Sequence, residues 1–170
     1  FIPNEVNLWA LAMFSSGAAT SDDEVWNAWA IYHYGKAAAP AVIRALKPTG
    51  QVVAELLSIG PFTFGDTREF PPEPTTDPFD QNWQNWKWDK SYMSDFNAAE
   101  RGDPAFTAKV AAQKKAAATL AAQSLADLDA AEPTLDPIDF AILHAKLLTN
   151  QAQLAFRTPM ALASLHYRAW

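Results

Sequence analysis

Residues 103–128 read DPAFTAKVAAQKKAAATLAAQSLADL, and this stretch decides the fold class. Asp103 can accept from the free N–H groups of a first helical turn, and Pro104, which has no N–H to lose, fits the position after it. From there Phe106, Val110, Ala117, Leu120, Ala121 and Leu128 fall on one stripe, with Lys115 and Gln123 outside it. The spacing predicts one long amphipathic helix. The Lys114-Lys115 pair in this alanine-rich run is expected on a solvated face.

Downstream, Asp136-Pro137 repeats the start signal. The helix it opens has two apolar faces, Phe140, Leu143, Leu147 and Leu154 on one and Ile138, Ile142, Ala145 and Phe156 on the other, the pattern of a helix set between neighbours. Pro159 should kink or end it, with Met160 to Trp170 continuing as helix. Upstream, a short helix is expected around Ser91 to Ala99. Before that, from Pro61 to about Lys90, five prolines and no sustained period predict a long loop, and its three tryptophans and four phenylalanines argue for order.

The N-terminal part is helical again. Glu5 to Phe14 is apolar all round, with Val6, Ala10 and Met13 on one side and Leu8 and Leu11 on the other, so it should pack on two sides. Ser21-Asp22-Asp23-Glu24 has the capping-box form, and the helix it starts should present Val25, Trp29 and Tyr32 on one face and stop at Gly35. Pro40 suits a first helical turn. From there Val42, Leu46, Val53, Leu56 and Leu57 make a stripe opposite Arg44, Lys47, Gln51 and Glu55, with a break near Lys47 imposed by Pro48 and an end at Gly60-Pro61.

The whole is therefore expected to be an all-α helical bundle with one long Pro- and Trp-rich loop. It divides into residues 1–60 (first helices), 61–90 (aromatic loop) and 91–170 (long helices) of one domain. Roughly a fifth of the 170 residues are alanine, only 6 are Gly and none is Cys, which excludes collagen-like, disulfide-framework and thiolate-metal classes. The net charge is −6, and residues 61–104 hold nine Asp/Glu against four Lys/Arg, which disfavours a phosphate-backbone partner. No apolar run reaches the ~18 residues of a membrane span. The chain opens on Phe1 without a basic flank or a cleavage site, and is expected to be a piece of something longer.

Among residues that could carry chemistry, Asp80, Asn82, Trp83, Asn85, Trp86, Trp88 and Asp89 gather three indoles and four short polar groups within ten positions. Indole faces can stack on sugar C–H patches while amides and carboxylates take the hydroxyls, so Trp83, Trp86, Trp88, Asn82 and Asn85 are the candidate substrate-binding residues. The competing reading clamps the loop to the helices by the same rings. Asp22, Asp23 and Glu24 fit a helix N-terminus better than a metal or acid site. His33, His144 and His166 have no zinc-type spacing, and His33, between Tyr32 and Tyr34, reads as a packed residue at a helix end. No nucleotide loop or nucleophile elbow occurs, so no metal and no cofactor are expected.

The passage Asn4-Glu5-Val6-Asn7-Leu8-Trp9-Ala10-Leu11-Ala12, then Ser21-Asp22-Asp23-Glu24-Val25-Trp26-Asn27-Ala28-Trp29 and the Tyr34-Gly35 stop, resembles α-glucuronidase-type glycoside hydrolases. In that family the corresponding passage is where the catalytic (β/α)₈ barrel ends and a C-terminal helical domain begins. The resemblance covers about residues 4–60. It implies an accessory domain of polysaccharide degradation that buttresses the preceding barrel and shapes its substrate cleft or a homodimer interface. The family's catalytic carboxylates lie on barrel strands before this passage, so it places no catalytic residue within residues 1–170. Two other readings stand beside it: a carbohydrate-binding module that takes an oligosaccharide on Trp83, Trp86 and Trp88, and a helical scaffold whose aromatics are core.

Overall fold

The computed structural model describes residues 2–59, 62–63, 98 and 101–168. Among them the chain is an all-α helical bundle, as its periodicity predicts. The α-helices are α1 (Ile2–Ser16), α2 (Asp22–Leu46), α3 (Thr49–Leu56), α4 (Pro104–Asp129) and α5 (Pro137–Arg168), with a 3-10 turn, Glu132–Thr134, between the last two. Two-residue strands, β1 (Ser58–Ile59) and β2 (Phe62–Thr63), pair antiparallel with Ser58 opposite Thr63 and Ile59 opposite Phe62. The loop expected over 61–90 and the helix expected over 91–99 lie outside the described residues apart from Phe62, Thr63 and Ala98, the last of which is helical.

The helix starts form where their side chains satisfy free N–H groups. Asp103 Oδ1 accepts from Ala105 N–H at 2.7 Å and Phe106 N–H at 3.3 Å, and Asp136 Oδ1 from Ile138 N–H at 2.8 Å and Asp139 N–H at 3.4 Å. At α2 the capping box is complete: Glu24 N–H donates to Ser21 Oγ at 3.4 Å, and Ser21 N–H returns to Glu24 Oε2 at 3.2 Å. Thr20 adds its own N–H at 2.6 Å and its hydroxyl at 3.1 Å, and these donors from Thr20 do most to hold the Glu24 carboxyl below its ordinary value. α1 closes at Gly17, where Ala18 N–H reaches Met13 O at 2.9 Å and Gly17 N–H reaches Phe14 O at 3.2 Å.

The stop expected at Gly35 is a break inside α2. Gly35 has φ 77° and ψ 164°, and helix resumes at once, so Pro40 sits near the start of a restarted helix. Pro48 separates α2 from α3 as expected, with Thr49 Oγ1 donating to Leu46 O at 2.6 Å. Pro159 is absorbed within α5.

The chain forms two compact units. The first, Phe1–Gly50 with Leu120–Thr149, has a core of Val6, Val25, Trp29, Ala30, Ala38, Ala39, Val42, Ala45, Leu46, Leu128, Leu135, Leu143 and Leu147. Its alanines let backbones approach closely, while Trp29, fully buried, supplies the bulk; its loss would cost ~3–5 kcal/mol. The second unit, Gln51–Thr119 with Asn150–Trp170, buries Val52, Leu56, Phe106, Val110, Ala117, Leu154, Ala161 and Leu165.

Several expected faces are corrected by this packing. Trp29 and Ala30 are both fully buried, so the core side of α2 runs between them, and Tyr32, about 200° around from Ala30 at 100° per residue, points outward and is 74% exposed. In α3 Leu56 is buried as expected, but the other apolar residue buried is Val52 rather than Val53, which is half-buried, and Leu57, just past the helix, is exposed. α5 buries Leu143 and Leu147 in the first unit and Leu154, Ala161 and Leu165 in the second, at steps of four or seven residues; Ile138, Ile142 and Phe156 lie off these positions and are exposed. α1 packs Val6, with Trp9, Ala10 and Met13 half-buried against the core, but its other side is open, Leu8 and Leu11 each being 66% exposed.

Candidate functional site

The polar residues with described contacts mostly hold the helices in place. Lys114 is the sharpest correction to the sequence reading. It occupies the α4 seam between Val110 and Ala117 with only 2% of its surface exposed, and its ammonium donates to the carbonyls of Glu55, in the last turn of α3, and Ser58, just past its end. A cation there satisfies free C-terminal carbonyls and complements the helix dipole. Glu55 Oε2 is 4.0 Å from Nζ and, though buried, has no hydrogen-bond partner among the described residues. Burial pushes the Lys114 ammonium down to about 8; Glu55 opposes that shift and Arg157 adds to it. Lys115 is solvated as expected. The missed signal was positional: Lys114 falls four residues after Val110 and three before Ala117, on the seam itself.

In the first unit a cleft of about 240 Å³ opens where α1 meets the start of α2 and the α2–α3 junction. Val6, Val25 and Leu46 line it together with Asp22, Lys47 and Thr49, and Lys47 pairs with Asp23 beside it. Asp22, Asp23 and Glu24 form the first turn of α2, as read from sequence.

The flank of α1 against α2 is aromatic. Trp9 lies with its ring centroid 5.2 Å from Tyr32 at 51° and 6.0 Å from His33, while Trp29 is 5.4 Å from His33 and 5.5 Å from Tyr34. His33, read as a packed residue at a helix end, is ringed in this way and places Nε2 3.1 Å from Glu5 Oε1. Burial first, then the carboxylates of Asp139 and Glu5, push the Tyr34 hydroxyl up to about 12. The indole N–H of Trp29 is buried with no acceptor among the described residues. His144 pairs with Asp129 at 3.3 Å and stacks near Phe140, and His166 is exposed. No group of three or more His, Cys, Asp or Glu able to hold a metal occurs among the described residues.

The candidate sugar-contacting residues Trp83, Trp86, Trp88, Asn82 and Asn85 lie outside the described residues. No helix among the described residues is long and apolar enough to cross a membrane. Protein-family models, curated proteins and solved structures all give no match to the chain.

Proposed function

We propose that this chain is a non-catalytic helical accessory domain that docks against a carbohydrate-active catalytic body, the barrel of an α-glucuronidase-like hydrolase. The observation that carries the reading is the open side of α1. Leu8 and Leu11 stand 66% exposed directly opposite the buried Val6, so the helix that the resemblance sets at a barrel exit keeps an apolar face for a second body. The polar side chains described above serve caps and helix ends, which fits a domain selected for packing.

The test is reconstitution. The isolated (β/α)₈ barrel of an α-glucuronidase, stripped of its own helical domain, is titrated with this chain and with a Leu8→Glu/Leu11→Glu variant. Wild type is expected to bind and the variant to fail while melting at the same temperature, because neither leucine contributes to the core. Absence of binding by the wild type sinks the docking reading. Turnover of aryl glycosides by the chain alone, lost on replacing one of its acids, sinks the non-catalytic one.

A further inference from the structure

We propose that the α1–α2 flank of the first unit binds an organic cation, an alkylammonium group of the choline type, over the rings of Trp9 and Tyr32 with the Glu5 carboxylate as counter-ion.

Aromatic faces carry negative charge density, and a quaternary or alkyl ammonium within about 6 Å of a ring centroid is attracted to it. Tyr32 leaves 74% of its surface free, and its ring is held by Trp9 at 5.2 Å and, edge-on, by His33 at 5.0 Å. Half-buried Trp9 is anchored against the core. Two rings tilted by 51° form a shallow corner, which suits a compact, roughly spherical headgroup better than a flat ligand.

The local charge has the matching sign. Glu5 is one helical turn before Trp9 on α1, and its side chain is 48% exposed. His33 fixes one of its oxygens at 3.1 Å, which limits the rotamers the carboxylate can take. The reach of the Glu5 carboxylate extends to the neighbouring Tyr34 hydroxyl, on which it acts together with Asp139 of α5. Such a field favours a cation and repels a carboxylate-bearing ligand.

The experiment titrates the whole chain at neutral pH and low ionic strength with choline and with 3,3-dimethylbutan-1-ol, its neutral isostere, following the Trp9 indole resonance. Choline is expected to give a saturable shift and the alcohol to bind about tenfold more weakly or not at all. Tyr32→Ala should abolish the response without moving the melting temperature, and Glu5→Gln should weaken it by roughly threefold to tenfold. Equal affinity for the two ligands, an unaltered response in Tyr32→Ala, or no saturable response to choline overturns the assignment.

Discussion

A buried lysine makes an unusual contribution to the pH dependence of stability. Lys114 holds its proton in the folded chain only up to about 8, whereas a free lysine holds it to 10.5. Between those values the unfolded chain carries a proton that the folded chain has released, so stability rises as pH climbs through the window. The total is on the order of 3 kcal/mol. Tyr34 acts in the opposite sense: its raised value means that stability present below pH 10 is lost as pH rises toward 12. Chemical denaturation between pH 7 and 10 should therefore show midpoints moving upward, and Lys114→Met should flatten that rise. At pH 7 the same variant should cost no more than about 2 kcal/mol, since losing two hydrogen bonds to carbonyls is offset by removing a buried charge. A denaturation midpoint independent of pH in the wild type would contradict this account of Lys114.

At the scale of elements, the two glycines of α2 and α3 make a matched pair. A Cβ at either Gly35 or Gly50 meets nothing within 4 Å, so packing is not at issue. Gly35 has φ 77°, where an L side chain is strained, and Gly35→Ala should lower stability by about 1 kcal/mol. Gly50 lies in α3 without such a φ, and Gly50→Ala should raise stability by roughly 0.4–1 kcal/mol through the unfolded chain's entropy. Thermal melts of the two variants should move in opposite directions; a shared direction would mean that the break at Gly35 is not a backbone requirement. These elements were largely legible in advance. Asp103-Pro104, Asp136-Pro137 and Ser21 with Glu24 announce their helices through local chemistry that needs no tertiary context. What the sequence did not disclose was which apolar side would be packed. Tyr32, Leu57 and Ile138 are apolar enough for a core, and only the positions of Ala30, Val52 and Leu143 relative to their neighbours decide that these larger residues face out. Lys114 is the converse, a charge on a seam where charge composition suggested solvent.

For the whole molecule the exposed apolar residues matter more than the net charge of −6. Leu8, Leu11, Ile138, Ile142 and Phe156 are separated along the chain but alike in facing outward. Of these, Leu8 and Leu11 lie one helical turn apart on α1, and an adjacent exposed apolar pair is a candidate contact surface. Sedimentation of the chain at rising concentration should give a weight-average mass above 18.7 kDa, and Leu8→Glu/Leu11→Glu should bring it back toward that value. A wild-type chain that stays at 18.7 kDa throughout would count against the open face as a docking surface. The neighbouring pair Lys114 and Lys115 also supplies a built-in clock for the opening of the second unit. An amine-acylating reagent meets Lys115 at once, while Lys114, more nucleophilic by virtue of its lowered proton affinity, stays shielded until its surroundings part. The ratio of label on two adjacent residues, read from a single peptide, would thus report how often α4 releases its hold on the end of α3, with the exposed lysine normalising for reagent and digestion.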